Sequence, residues 1–570
     1  MASNRWSSGL VVLAVVAVFG MGCAPPRCDA SNCSGCCDTA NKCQEGTSAS
    51  ACGVSGATCQ LCLGQVCAAG VCVAAGGGSG GTTGGGTGGG GGDEADAGQD
   101  AGPTGGGGGG GGSNQGLTVT GHGNYTFVTA DGGRTVGPAD FSRTTIGAWV
   151  SIDGGVEYRG GAGQTNGTFS IQDVPPGPYV LRIGGGLFAT SARDVSCDYT
   201  IPGRADARPA TINPTSINFS LTQLSPWDSR NWLSLTSFNA GQHELYGFER
   251  YSTSPPTAGV DNWAGTLNYF LYSDAYGSPM IESSKGDVAW LLQHTQTTSP
   301  NGYTGRTAVT RALEVTNLQM VDGQTQTVTG SLTPVSTQSI SWDYRASDFT
   351  RAASELNAGA TRYFQVRVFE GPVQWNTVNT AFTETTSWYA YEPELPATTV
   401  DLAKPFPSTW QGVAWSRYVV DASRALVGAT PLRLVSELSR IEPLSQFVSQ
   451  PIQPLLTAPR SPTINGADFF AENVNVGLTP TLRWTAPSMG SNVRYELEIR
   501  RLAVNNGQTS VAARFTAHTH ETSFVVPPSL LLQGQPYVVT LTALSAPEQS
   551  LLSNGLPYHS ASVVSGVFKP

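Results

Sequence analysis

The chain has 570 residues, only 13% of them charged, and a formal net charge of −10. With 31 basic residues against 41 acidic ones and no basic stripe, the composition excludes nucleic acid as a partner, which needs clustered Lys and Arg. Its 71 glycines and 12 cysteines are unevenly spread, and that spread divides the chain into parts.

Residues 1–9 carry one positive charge, Arg5, and an apolar run from Leu10 to Met21 leads into Gly22-Cys23. A short apolar run after a weakly basic start predicts a secretory signal over 1–22, too short to span a bilayer. Gly20-Met21-Gly22-Cys23 resembles a bacterial lipobox, with Gly20 standing where Leu is usual. The resemblance implies cleavage before Cys23, lipidation of Cys23 and, since Ala24 and not Asp follows, attachment to the outer membrane. Acyl chains on both the thiol and the new N-terminus anchor stably, whereas one chain alone is marginal. Parity agrees, because removing Cys23 leaves ten cysteines in the cluster that follows, an even number.

Those ten are Cys28, Cys33, Cys36, Cys37, Cys43, Cys52, Cys59, Cys62, Cys67 and Cys72. A module over 23–73 with few large apolar side chains cannot bury enough surface to offset chain entropy, so cross-links must hold it. In an exported chain these cysteines are expected as disulfides, each stabilising by about 2–4 kcal/mol. The competing reading is metal, since Cys33-x-x-Cys36 and Cys59-x-x-Cys62 have the spacing of zinc half-sites. The oxidising compartment and the lack of nearby histidine oppose it. Connectivity is not legible.

Residues 74–116 are mostly glycine with one acidic patch (Asp93, Glu94, Asp96, Asp100). Such a segment is expected to be a flexible linker, spanning about 35 Å on average and about 140 Å when fully extended. The patch lacks the DxDxDG spacing of a calcium loop.

From 117 onward Thr, Ser, Val, Tyr and Trp dominate and turn residues recur at short intervals, which predicts an all-β body of tandem β-sandwiches. In 117–224, Thr168-Phe169-Ser170-Ile171 leads through Val174-Pro175-Pro176-Gly177-Pro178 into Tyr179-Val180-Leu181-Arg182-Ile183. Phe169 and Ile171 share one side, as do Tyr179, Leu181 and Ile183, and the prolines with Gly177 force a tight corner. This order resembles the carboxypeptidase-regulatory-like (transthyretin-like) sandwich, which implies a non-catalytic module. Cys197 falls on the apolar side of an alternating strand and reads as a core thiol. In 457–570, Trp484, an alternating Tyr495-x-Leu497-x-Ile499 strand, and Leu531 six residues before Tyr537 resemble a fibronectin type III sandwich with its tyrosine corner. That resemblance implies a spacer or binding module.

The middle, 225–456, matches no family pattern, and one or two further sandwiches are expected. Strands are expected at 266–272, at 318–321 paired through Asp322-Gly323 with 327–332, and at 363–369. One helix is expected, capped by Asp348, striped by Phe349, Ala352, Ala353 and Leu356, and stopped by Gly359.

Catalytic and cofactor signatures are sparse, so no cofactor and no metal are expected. His243-Glu244 lacks the second histidine of a zincin, and no GxSxG joins a strand to a helix. His518-x-His520 gives two imidazoles on one strand face, too few alone for a metal. Glu244, Asp261, Asp274, Glu282 and Asp287 are the regional candidates for a glycosidase pair. Aromatic clusters offer a binding face for sugars or protein side chains, with Trp263, Tyr272, Tyr276, Trp388 and Tyr391 as candidates, against the alternative that the rings fill cores. The expectation is an exported, lipid-anchored surface protein that binds glycan or protein partners. The alternatives are a tethered hydrolase of extracellular or cell-wall polymers with its site in the middle region, and a structural envelope component.

Overall fold

A computed structural model of the chain describes residues 33, 35–37, 43–44, 47–48, 51–52, 57–58, 65–68, 71–74, 117–153, 155–252, 254–298, 304–356, 362–372, 383–390, 398–550 and 553–570. They fall in two units, Pro25–Gly116 and a larger one that holds Leu117–Pro570. Among the described residues, strands are the main regular element of both. Among the described residues no helix is long and apolar enough to cross a membrane. The leader, Cys23, Cys28, Cys59, Cys62 and the linker beyond Ala74 lie outside the described residues.

In the smaller unit, Cys36–Cys37 pairs antiparallel with Cys43–Gln44 and parallel with Ala57–Thr58. Two hairpins, Thr47–Ser48 with Ala51–Cys52 and Gln65–Ala68 with Val71–Ala74, complete the described strands and set Cys67 opposite Cys72. Cys33, Cys36 and Cys37 are buried and disulfide-bonded, so Cys33-x-x-Cys36 is not a pair of thiolate metal ligands.

In the larger unit, the first sandwich follows its alternating pattern. Thr168–Val174 lies between Leu117–His122 and Gly155–Gly163, while Tyr179–Ile183 lies between Ile146–Ile152 and Gly186–Thr190. The Pro175–Pro178 corner therefore carries the chain from one sheet to the other, and Gly177 takes a φ of 111° that a Cβ would oppose. Phe169, Ile171, Leu181, Ile183 and Cys197 meet in one core. Each large side chain buried there contributes about 1.5–3 kcal/mol.

The first sandwich ends sooner than 224. Ser216–Thr222 pairs instead with Trp263–Asn268 and, in parallel, with Thr325–Ser331, and Ile217, Phe219 and Leu221 enter the next core. The 318–332 hairpin does not form. Asp322 accepts hydrogen bonds from Ile212 N (2.8 Å) and Thr215 Oγ1 (3.0 Å), and Met320 N donates to Ile281 O at 2.8 Å. Those contacts hold 318–322 against other loops and free Thr325–Ser331 for its distant partner. The 266–272 strand is likewise revised, since Trp263–Asn268 is a strand but Tyr269–Tyr276 is a helix. Arg362–Gly371 is a strand with Phe364, Val366 and Val368 buried. The expected helix runs Ala346–Ala353 and buries Phe349, Ala352 and Ala353, with Leu356 just beyond. Asp348 sits in its first turn and pairs with Arg351 at 2.6 Å, while Arg345 takes the cap position.

One long sheet joins the sandwiches. From Gln242–Tyr246 it passes through Asn231–Ser237, Ala289–Thr298, Thr304–Val315, Thr383–Ala390, Arg362–Gly371 and Gln411–Asp421 to Val435–Pro443. Val435–Pro443 pairs with Tyr558–Val564, which continues through Tyr537–Ser545 and Arg494–Asn505 to Gln508–Thr519. There Gly186–Phe188 of the first sandwich adds in parallel beside Thr516–His518. Smaller sheets cover the apolar side: the Ser216–Thr222 trio, the Ser336–Trp342 and Thr398–Lys404 pair, and four strands around Thr481–Thr485. In the last sandwich Trp484 meets Tyr495 edge to face at 5.1 Å. Leu532 N donates to Tyr537 Oη at 2.9 Å, closing the corner read from the spacing.

The link from the first sandwich into the middle includes a buried ionic cluster. Arg204 is 9% exposed and meets Asp287 at 3.1 Å, Glu282 at 2.6 Å and Asp206 at 2.7 Å, with Lys285 bridging Asp206 and Glu282. Lys285 and then Arg204 hold the Asp206 carboxyl down at about 2, against an ordinary value of 3.8. A depressed carboxyl stabilises the fold above its ordinary value and loses that contribution as pH falls through the folded one. Asp206→Asn is expected to lower the melting temperature at pH 7 and to flatten its dependence between pH 4 and about 2; an unchanged acid limb would count against the pairing. Tyr537→Phe is expected to cost about 1 kcal/mol in chemical denaturation, the size of one hydrogen bond.

Candidate functional site

The rings named from the sequence mostly fill cores. Trp263 is 4% exposed and stacks on Phe219 at 5.6 Å, with its indole N–H donated to Ser254 O at 2.6 Å. Trp388 is 8% exposed and meets Trp342 edge to face at 4.7 Å. Neither offers a face to a ligand, so both are withdrawn as binding residues. Tyr272 is half-buried and meets Tyr251, a ring the sequence reading did not single out, at 5.9 Å; Tyr251 itself is 72% exposed. Tyr276 lies on the helix, and its side chain and the whole of Tyr391 lie outside the described residues.

Among the described residues, the regional carboxylates do not assemble into a catalytic pair. Glu282 and Asp287 are both taken by Arg204. Glu244 lies 3.1 Å from His294 Nε2, and Ser234 Oγ is 2.8 Å from the same nitrogen. A serine hydrolase needs its acid and its nucleophile on opposite ring nitrogens so that one orients the ring while the other gives up a proton. Here both share Nε2, and Ser234 and His294 are 0% and 1% exposed. The trio is a packed polar contact, capped by Trp232 stacked on the imidazole at 5.3 Å. Asp261 is exposed on a loop, and the Asp274 side chain is not among those described. His518 and His520 do not converge on a third ligand, and among the described residues no group of three His, Cys, Asp or Glu side chains is placed to hold a metal ion.

What the register does assemble is the side of the long sheet opposite the apolar cores. Directly paired residues share a side, so Arg367, Trp415, Ile441 and Tyr558 form one row. Glu437, Ser562, Thr542, Glu496 and His518 form another. Trp415 is held between two guanidiniums, Arg367 at 5.5 Å and Arg417 at 4.7 Å, and donates its indole N–H to Ser439 Oγ at 2.6 Å. Arg367 pairs with Glu384, and Arg417 with Glu437 at 3.0 Å. This side therefore combines a small buried apolar cluster, Trp415, Ile441 and Tyr558 with Val413 and Leu544, with charge pairs and cation–π contacts.

Two groups on it are both accessible and desolvated. The Glu496 side chain is 32% exposed, yet burial and the neighbouring Glu498 push its carboxyl up to about 7. His518, 29% exposed, is pushed down to about 4 by burial and Arg494, and its ring stacks on Phe188 at 4.9 Å. Glu496 and His518 face each other at 3.8 Å where the first sandwich joins the last. The alternation of Tyr495-x-Leu497-x-Ile499 carried a trace of this, because its polar positions are Glu496 and Glu498. The Glu498 that shifts Glu496 lies two residues away on the same strand, while the Arg494 that acts on His518 comes from the neighbouring strand.

A second feature lies on the outer face of the first sandwich. It is a shallow depression of about 440 Å³ whose wall includes Thr120, His122, Gln164, Asn166, Thr168 and Asp194. No protein-family model and no curated protein matches the chain.

A raised carboxyl favours the fold below its ordinary value of 4.5 and loses that contribution as pH rises through about 7. Glu496→Gln, uncharged throughout, is therefore expected to melt higher than the parent at pH 8 and alike at pH 4. Equal melting temperatures at pH 8 would show an ordinary, solvated carboxylate.

Proposed function

We propose that this chain is an exported, lipid-anchored surface protein that binds glycan or protein partners without transforming them. The leader with Cys23, the disulfide-bonded Cys33, Cys36 and Cys37, and the long glycine-rich segment support an extracytoplasmic tether. The corner at Pro175–Pro178 supports likeness to carboxypeptidase-regulatory-like modules, and the Tyr537–Leu532 hydrogen bond with Trp484 on Tyr495 supports a fibronectin type III-like end. The first likeness implies a non-catalytic module and the second a spacer or binding module.

The observation that carries the binding reading is the solvent-open depression on the first sandwich, lined by hydrogen-bonding side chains, Thr120, His122, Gln164, Asn166, Thr168 and Asp194, on paired strands. A sheet held by main-chain ladders loses little further freedom when it binds, so each contact made returns more of its energy as affinity. One group favours a hydrolytic alternative: Glu496, a part-exposed carboxyl near neutrality beside Glu498, has the character of a general acid.

The two readings separate on a glycan array probed with the mature chain and followed by product analysis on the sugars retained. Retention with no reducing ends released is expected. Release that Glu496→Gln abolishes would establish the hydrolase instead. Mass spectrometry of the mature N-terminus is expected to find Cys23 first and acylated; an uncleaved leader with an unmodified Cys23 thiol would remove the anchor.

A further inference from the structure

The depression on the first sandwich has a simple construction. Strand register sets Ala162, Ser170, Thr120 and Asp194 in one row across four strands. In the adjoining row His122 stands opposite Thr168, and Gln164 N donates to Thr168 O at 2.8 Å. Short side chains make the first row a trough, and the longer Gln164 and His122 rise along its flank.

Its polar groups are held in place before any ligand arrives. Asp194 Oδ1 accepts from Thr120 Oγ1 at 3.3 Å and lies 3.7 Å from His122 Nδ1, although Asp194 is 70% and His122 48% exposed. Asn166 Oδ1 accepts from Thr168 Oγ1 at 2.7 Å and Thr168 N at 3.2 Å, which leaves its amide N–H groups for another acceptor. Arg193, the nearest cation in sequence, is turned away to the carbonyls of Val174 (2.9 Å) and Pro175.

We propose that this trough is a binding site for a neutral, polyhydroxylated ligand, a glycan segment. The proposal rests on the binding reading above and gives it a place and a ligand class. Fixed carboxylate, carboxamide and hydroxyl groups offer acceptors and donors together, which is what a row of sugar hydroxyls satisfies. A polyanion finds no Lys or Arg among the lining residues and meets Asp194. A divalent cation finds one carboxylate, too few for a site of oxygen ligands. An extended peptide that adds to a sheet binds through main-chain groups at a strand edge, whereas the groups the trough offers are side chains on the face of paired strands.

The test uses the mature full chain on an array of neutral oligosaccharides, with sulfated and uronic oligosaccharides as comparators and titration calorimetry on the best neutral binder. Asp194→Ala is expected to weaken binding about tenfold or more, the size of one hydrogen bond to a charged group. Ala162→Phe fills the trough without removing a polar group and is expected to abolish binding, with the melting temperature of both variants unchanged because both positions are exposed. Neutral glycan bound equally well by both variants would overturn the site while leaving the binding reading intact. Retention of the charged comparators alone would overturn the ligand class. No retention of any sugar would overturn the site and leave protein partners as the remaining form of the general reading.

Discussion

Backbone pairing between sandwiches is the constraint on which the rest of this body depends. A sandwich standing alone presents edge strands whose N–H and C=O groups lack partners, a standing hazard for association. Here edges at two joints are paired internally. Val435–Pro443 of the middle region takes Tyr558–Val564 of the last sandwich as its neighbour, and Gln508–Thr519 takes Gly186–Phe188 of the first. Domains in one chain ordinarily meet through modest, polar contacts and move against each other. Main-chain hydrogen bonds in register replace that freedom with a fixed relation, so the polar side of the sheet is one surface and not several.

The two sides of that sheet then divide the chemistry between them. On the apolar side, tryptophans and phenylalanines pack under the small covering sheets, which is where Trp263 and Trp388 go. On the other side, charge must be paired or accessible, because an isolated buried charge is too costly. Arg367 with Glu384 and Arg417 with Glu437 meet that demand by pairing around Trp415. Glu496 meets it by keeping its proton to higher pH, pushed by burial and by Glu498 beside it.

Local pattern carried the all-β class, the corner at Pro175–Pro178, the burial alternation of Phe364, Val366 and Val368, and the spacing of Leu531 and Tyr537. Each is set by residues within a few positions of one another. What the pattern missed depends on partners far along the chain. Ser216–Thr222 alternates just as the strands of the first sandwich do, and only its pairing with Trp263–Asn268 and Thr325–Ser331 assigns it elsewhere. Asp322-Gly323 reads as a hairpin turn until the Asp322 carboxylate is seen to hold the backbone at Thr211 and Ile212. Tyr269–Tyr276 is a short apolar run that fits strand or helix equally, an ambiguity periodicity does not resolve. The trough was invisible for the same reason, since its row of Ala162, Ser170, Thr120 and Asp194 comes from four separate strands.

Amide hydrogen exchange across the joining strands tests the continuous sheet most directly. In the mature chain, the ladder amides of residues 437–441, 558–562 and 516–518 are expected to be protected to the level of the core strand Arg494–Asn505. Exchange at those joints orders of magnitude faster than in that strand would contradict it, showing sandwiches that touch without sharing a sheet.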